Sequence, residues 1–526
     1  MTLKKIFIKI KIFLNFFKKK HQKSFYLNEK FKNKVKFYKN RICYIYDYYI
    51  FNSKDLIEKN YVAKVSKYCE VLLRVVSNNN KFYYKIDKHY YSRKIYPNVL
   101  NFLKIDLIKA KKIQIINNDN IKIFKPLFAQ KKNKRKLVLA LLVDGFGYDI
   151  LNHLPNTKKF FGLSNLFTNV WANSNWTLPS YGNFITGKYA ANHKGYNSES
   201  RYDSNSIVKY ETNLNIYEYF SKLGFVTGCY SPYLRINPTY DSARGADFFY
   251  NNDLCDAHQM SENIISQISM FKNSSNFIFA HYFDGHGPRY KKLRAQEAIF
   301  LPSNNRNYND EENLNKTRAV AEIKHEDEIE TIAMFNYIDS HLKKIYQFLK
   351  VNKFEDYTII LFGDHGTRLG SKIEKKYILS NNICNINLLI KDKKNSFSSE
   401  RRKKIIQMID FFPSLVSRYP NLSKKILKEC NSFDGINSIF SEAKNKYSLS
   451  ETEYNSKSIP ERLYEINIRK NAYQLYSASS FKNNKIVNSK DILLDKNQNV
   501  IKYNNSYKKV MDEFKKIKKN HLVQYD

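Results

Sequence analysis

Glycine and proline are scarce in this chain, 15 and 11 of 526 residues. That argues against a long disordered tail. Cysteine is also sparse. Cys43, Cys69, Cys229, Cys255, Cys384 and Cys430 form no C-x-x-C pair and stand in no Cys/His cluster. Neither a disulfide framework nor a structural zinc knuckle is expected, and a reducing compartment suits the set. No run of about 18 uncharged apolar residues occurs, so no membrane-spanning helix is expected. In the first twenty residues, MTLKKIFIKIKIFLNFFKKK, Lys9 and Lys11 interrupt the apolar stretch and no small-residue cleavage site follows. A signal peptide is therefore not supported. No internal repeat is found.

What the chain does have is length, apolar content and positive charge. Hydrophobic residues make up 43%, enough for a large domain with one or two smaller ones. The net charge of +40 favours anionic partners: acidic lipid, nucleic acid or a polyanionic glycan. Lys, Asn, Ile and Tyr are inflated together, as biased coding composition would give, so part of this charge needs no partner. Leu3, Phe7, Ile10, Leu14 and Phe17 fall on one helical face among lysines. Residues 1–20 are thus expected to touch an acidic membrane peripherally, from the cytoplasmic side; a strand or an ordinary packed helix is the alternative.

Residues 21–135 are rich in Tyr, Phe and Lys. Within them, EVLLRVVSNNNKFYYKI and KKIQIINNDNIKIFKP read as β-hairpins with Asn-rich turns. From 136 to 430 apolar strands alternate with helices: LVLALLVDGFG, NFIFAHYFDGHGP, a long helix near 318–350, DYTIILFGDHG, NINLLIK, and a helix near RRKKIIQMIDFFPSLVSRY. This order predicts an α/β domain with a mostly parallel central sheet and helices on both faces. Residues 431–526 open with a polar stretch that resembles a linker. A smaller β-rich subdomain and a basic terminal helix follow.

Three of the apolar strands end in acidic or histidine-bearing turns. Asp144 ends the first, Asp284 and His286 follow the second, and Asp364-His365 follow the third. Ligands gather at the carboxyl ends of strands in open α/β sheets, so three such ends suggest a metal site. Each motif alone reads more often as a solvated turn than as a ligand set. A fourth element, NSNWTLPSYGNFITGKY, places Thr177 ahead of Leu-Pro-Ser and a short run ended by Gly187. It reads as a helix capped by Thr177. Its free amides could hold a tetrahedral oxyanion beside the Thr177 hydroxyl. Threonine is a weak nucleophile at neutral pH, and a bound divalent metal would repair that.

Taken in order, VDGFG, NWTLPS with TGKYAANHKG, HYFDGHGP, LFGDHG and DFFPSL resemble the sulfatase-like branch of the alkaline phosphatase superfamily, over roughly residues 137 to 420. The resemblance implies that Asp144, Thr177, Asp364 and His365 hold a metal, with Thr177 also covalently modified. It implies that His286 contacts the substrate's anionic group or leaving oxygen, that Lys188 and Asp284 lie at the substrate, and that His193 braces the loop. Type I sulfatases need Cys or Ser at the nucleophile position and an arginine where Tyr181 stands. Threonine matches the phosphodiesterase and phosphoethanolamine or phosphoglycerol transferase branches. Asp-His at 364–365 favours zinc or manganese over calcium. Asp284 lacks the Asp-x-x-x-His spacing of two-zinc phosphodiesterases, which leaves a second metal open.

The resulting expectation is a metal-dependent hydrolase or transferase of phosphate esters working through Thr177, on an anionic phosphate-ester or glycan substrate in surface polysaccharide or lipid-linked glycan metabolism. Sulfuric ester hydrolysis is one alternative. A non-catalytic module binding anionic glycan or membrane is another. Nucleic acid is not expected, since no RNP-like, zinc-finger or helix-turn-helix signature accompanies the aromatics.

Overall fold

In Lys136–Val143, KLVLALLV, every position from Leu137 to Val143 is buried. A strand is apolar on both faces only where both are covered. Val138, Ala140 and Leu142 pack toward helices Thr177–Thr186, Ile216–Lys222 and Phe411–Arg418. Leu137, Leu139, Leu141 and Val143 pack toward helices Pro155–Phe161, Ala257–Met270 and His325–Val351. Each such fully buried Val or Leu contributes about 1.5–3 kcal/mol before entropy is counted.

The computed structural model describes residues 34–36, 42–46, 49–52, 56–57, 61–64, 69–107, 112–116, 121–130, 135–195, 210–233, 236, 243–252, 255–285, 325–352, 354–367, 377–420, 428, 432–454, 462–482, 485–502 and 504–522. The expected membrane-contacting segment 1–20 and His286 lie outside the described residues. No described helix is long and apolar enough to cross a membrane.

The 136–143 strand sits inside a ten-stranded sheet. Its order is 34–36, 42–46, 49–52, 248–250, 226–230, 276–282, 136–143, 356–363, 388–392, 166–167. The five strands from 248–250 to 356–363 run parallel, and those flanking them pair antiparallel. This is the α/β architecture expected, with helices on both faces.

The two expected hairpins in the N-terminal region do not form. Cys69–Ser77 pairs with 121–130 and 100–107, while Lys81–Ile86 pairs with 112–115 and 89–94. The runs on either side of each Asn-rich stretch belong to different four-stranded sheets. Stacked face to face, the sheets bury Val71, Leu73 and Val75 against Phe82, Tyr84, Ile113 and Ile115. Edge-to-edge pairing would leave those apolar faces side by side and uncovered. Cys69–Ser77 is buried throughout. Its second face places Leu72 in a cluster with Ala129, Val226, Phe248 and Phe271, joining the sandwich to the central sheet.

At the C-terminal end, 448–454, 462–470, 473–482 and 485–495 form an antiparallel sheet, followed by helix Lys508–Leu522. Strand Ser448–Tyr454 lies within the polar stretch expected to be a linker. Polarity misleads here because buried Ser450 and Glu451 find hydrogen-bond partners. Ser450 Oγ donates to the Ala172 carbonyl at 2.6 Å, and Glu451 accepts from Ala191 N–H at 3.0 Å and Tyr464 OH at 2.7 Å. The helix expected near 401–419 is likewise divided into Ser399–Arg402, strand Ile406–Gln407 and Phe411–Arg418. Asp410 Oδ2 accepts the Gln407 amide at 2.8 Å and starts the later turn afresh.

Candidate active site

Strands 276–282, 136–143 and 356–363 lie side by side in register, with Val143 opposite both Tyr282 and Gly363. Their carboxyl ends therefore open at one place, and Asp144, Asp364 and His365 follow them directly. One ligand-capable atom from each of these three residues lies within 4.8 Å of the other two. Both carboxylates are buried.

Asp364 is held by the backbone. Its Oδ1 accepts from Gly145 N–H at 3.0 Å and from its neighbour His365 N–H at 2.9 Å. Gly145 adopts φ +69°, and a Cβ there would meet Thr367 Cγ2 at 2.7 Å, so this turn requires glycine. Asp364 Oδ2 is buried without a hydrogen-bond partner, 3.3 Å from His365 Nε2. Burial, and then the Asp144 charge, push the Asp364 carboxyl above its ordinary range. Burial pulls the His365 imidazole down, but Asp364 and Asp144 outweigh it and hold it above its usual value. Two adjacent buried carboxylates with an open oxygen are costly as bare anions. A divalent cation between them and the imidazole removes that cost, so the donor set fits a metal.

Thr177 completes the group from the neighbouring layer. Its hydroxyl donates to Asp144 Oδ2 at 3.2 Å. The structure corrects its expected capping role: Trp176, extended at φ −155° and ψ 162°, is the N-cap, and Thr177 is the first helical residue. The helix is buried along all ten residues and ends at left-handed Gly187. His193 braces it: Nδ1 accepts from Gly195 N–H at 2.9 Å, and the ring also bonds to the Pro179 backbone. Burial pulls the His193 pKa down to about 4, so the imidazole stays neutral at physiological pH.

The structure adds His281, which the sequence reading did not single out. Its Nε2 lies 3.3 Å from Asp144 Oδ2 and its Nδ1 3.1 Å from Ser231 Oγ, all buried. Its position opposite Leu142 puts it on the Thr177 side of the sheet. The signal was side-chain alternation: in AHYFD, positions 281 and 283 face one side, 282 and 284 the other. Asp284 accordingly serves the opposite helix layer, its Oδ1 accepting from Ala257 N–H at 3.0 Å. Lys188 is not brought to the cluster either. It follows the far end of helix Thr177–Thr186, about 15 Å of helix from Thr177, with Nζ 3.4 Å from the Glu211 carbonyl.

Comparison with known proteins places the fold that carries these residues. The family described as Sulfatase matches residues 138–419. No curated protein matches the chain in sequence. Among solved structures it is similar to a 2-O GAG sulfatase, at 12% identity and a TM-score of 0.53, over 75% of this chain and 93% of that one. It is also similar to a phosphonate monoester hydrolase from Silicibacter pomeroyi, at 14% identity and a TM-score of 0.51, over 75% of this chain and 96% of that one. At such identities the structural likeness speaks for the fold, while the family match covers more than half of the chain. The chain belongs to the sulfatase family, within the alkaline phosphatase-like superfamily.

Proposed function

We propose that the protein is a metal-dependent hydrolase or transferase of phosphate esters that uses Thr177 as its nucleophile. The observation that carries this reading is the Thr177 hydroxyl donating to Asp144 Oδ2 beside Asp364 and His365. Asp144, Asp364, His365 and Thr177 would hold one divalent metal. Mixed carboxylate and imidazole donors favour zinc or manganese over calcium. When bound, that ion supplies the charge that makes a threonine oxygen nucleophilic at neutral pH.

The chain's own residues do the rest. Asp144 Oδ2 receives the hydroxyl hydrogen and aims Thr177 Oγ1 outward. That oxygen forms a bond to phosphorus as the bond to the leaving oxygen breaks, and the leaving oxygen takes up a proton. By its resemblance to the family's substrate histidine, His286 is the donor. The N-terminal amides of helix Thr177–Thr186 stabilise the charge on the non-bridging oxygens. Water or an acceptor hydroxyl then attacks the phosphorylated threonine and restores Thr177. A threonine cannot become the aldehyde that type I sulfatases carry, which supports phosphate over sulfate esters.

The test is a panel of phosphate monoesters, phosphodiesters, phosphonate esters and sulfate esters, assayed with wild type and Thr177→Ala in zinc or manganese. Phosphorus esters should turn over, and Thr177→Ala should not process them. Sulfate-ester turnover that survives Thr177→Ala would refute the assignment.

A further inference from the structure

The N-terminal sandwich has an outer sheet, ordered 61–64, 112–115, 81–86, 89–94, whose inner face is filled by Phe82, Tyr84, Ile113 and Ile115. Its outer face presents Lys64, Lys81, Lys94 and Lys112 exposed and Lys85 partly so. Tyr83 and Tyr90 lie among them, 47% and 71% exposed. Among the described residues no carboxylate stands on this face; Asp87 lies in the turn at its end, its Oδ1 accepting the Lys112 amide at 2.9 Å.

The charges are placed at a cost to the fold. Lys81 is directly opposite Lys94, and Lys112 directly opposite Lys64. Like charges so paired across strands destabilise a sheet. Between the two pairs stands Lys85, its Nζ 4.7 Å from the Tyr90 ring centroid. At the rise of a β-strand the row from one lysine pair to the other spans about 20 Å. That is the footprint of an extended polyanion rather than a single anion.

We infer that this outer sheet face is a docking surface for a linear anionic glycan bearing phosphate or sulfate groups. Charge complementarity selects a polyanion. The tyrosines select the glycan, because each offers an apolar ring face with a polar tip, suited to the C–H face and hydroxyls of a sugar. A bilayer would need protruding apolar side chains, and Val62 is the lone aliphatic among the described residues of the face. Single-stranded nucleic acid also stacks on sheet-surface aromatics, and the oligo(dT) arm of the test separates it from the glycan. The inference stands apart from the chemistry assigned to Thr177.

The test uses the full chain and dextran sulfate, a sulfated glucan, as probe, with neutral dextran, phosphatidylglycerol vesicles and oligo(dT) in parallel. The variant Lys81→Ala/Lys85→Ala/Lys94→Ala should bind dextran sulfate roughly tenfold more weakly or worse. A charge-matched control, Lys515→Ala/Lys516→Ala/Lys519→Ala on the exposed side of the C-terminal helix, should change binding less than about twofold. Tyr90→Ala should also weaken it, which a purely electrostatic contact would not. All these positions are surface ones, so melting temperatures should hold or, where Lys81 and Lys94 no longer face each other, rise slightly, and turnover of a small phosphate ester should be the same in every variant. Equal losses in the two triple variants would reduce the effect to net charge and overturn the inference. Loss of vesicle or oligo(dT) binding with dextran sulfate binding intact would overturn it too, giving the face to lipid or nucleic acid.

Discussion

Asp144 Oδ2 lies 3.3 Å from His281 Nε2 and 3.2 Å from Thr177 Oγ1, so one carboxylate oxygen serves both a histidine and the proposed nucleophile. Losing the histidine should leave Asp144 less firmly aimed. Residues that orient a metal ligand are commonly worth about 10–100-fold in activity or metal affinity. His281→Gln is expected to lower turnover within that range, with unchanged melting temperature. Wild-type kinetics in His281→Gln would demote the residue to core packing.

Thr177→Ser keeps the hydroxyl and should retain measurable turnover, while Thr177→Ala should have none. Because Trp176 is the N-cap, Thr177→Ala loses no capping bond and escapes the usual cap penalty of about 1 kcal/mol. Denaturation midpoints of the two variants should therefore agree closely. A large drop in Thr177→Ala alone would show that the hydroxyl is holding the fold.

A cation bound at Asp144, Asp364 and His365 should stabilise the folded protein whether or not substrate is present. At a metal concentration 100 times Kd the gain is about 2.7 kcal/mol. Zinc or manganese is expected to raise the melting temperature of chelator-treated protein more than calcium does. Asp364→Asn, which keeps an oxygen for Gly145 N–H and His365 N–H, should abolish the rise. A melting temperature indifferent to every divalent ion would sink the metal assignment.

His193 gives a stability signature away from the metal ligands. Burial pulls its pKa from 6.5 to about 4 in the folded state, so the unfolded chain binds the proton more tightly. The stability linked to neutral His193 is fully present above pH 6.5 and is lost as pH falls toward 4, in all about 3 kcal/mol. His193→Gln should flatten the stability–pH curve across that window. Urea titrations at pH 4.5, 5.5 and 7 measure it, and parallel curves for the two proteins would contradict it.

Residues 1–20 are proposed to hold the protein on acidic membrane. Wild type should float with phosphatidylglycerol vesicles at low salt and lose most of that binding at high salt. Deleting 1–20 should remove it. Unchanged flotation would place the binding on the remaining basic surface.

The central sheet was legible in the sequence because its strands are covered on both faces. KLVLALLV and NFIFAHY read as continuous apolar runs, and Asp144 and Asp364-His365 stand out as the first polar residues after such runs. His281 was not legible, since its importance depends on which face it takes opposite Leu142, and register is set by neighbours distant in sequence. The sandwich was misread for a related reason. Local turn chemistry at SNNN suits a hairpin, but burying Val71, Leu73 and Val75 needs a second sheet above them. Glu451 was hidden by its polarity: a buried carboxylate looks like loop until His521 Nε2, 70 positions away, is found 2.8 Å from it.

Cys69–Ser77 has no solvent-facing side of its own, and that limits how the enzyme can be cut. A fragment starting at Lys136 would bare Val226, Phe248 and Phe271 where Leu72 and Ala129 now cover them. It would also leave Phe248–Tyr250 as an open border where Tyr250 now meets Tyr49, and such borders recruit other chains. A minimal version, or a chimaera exchanging front halves between relatives, must therefore keep the strands from residue 34 onward with the catalytic half they shield.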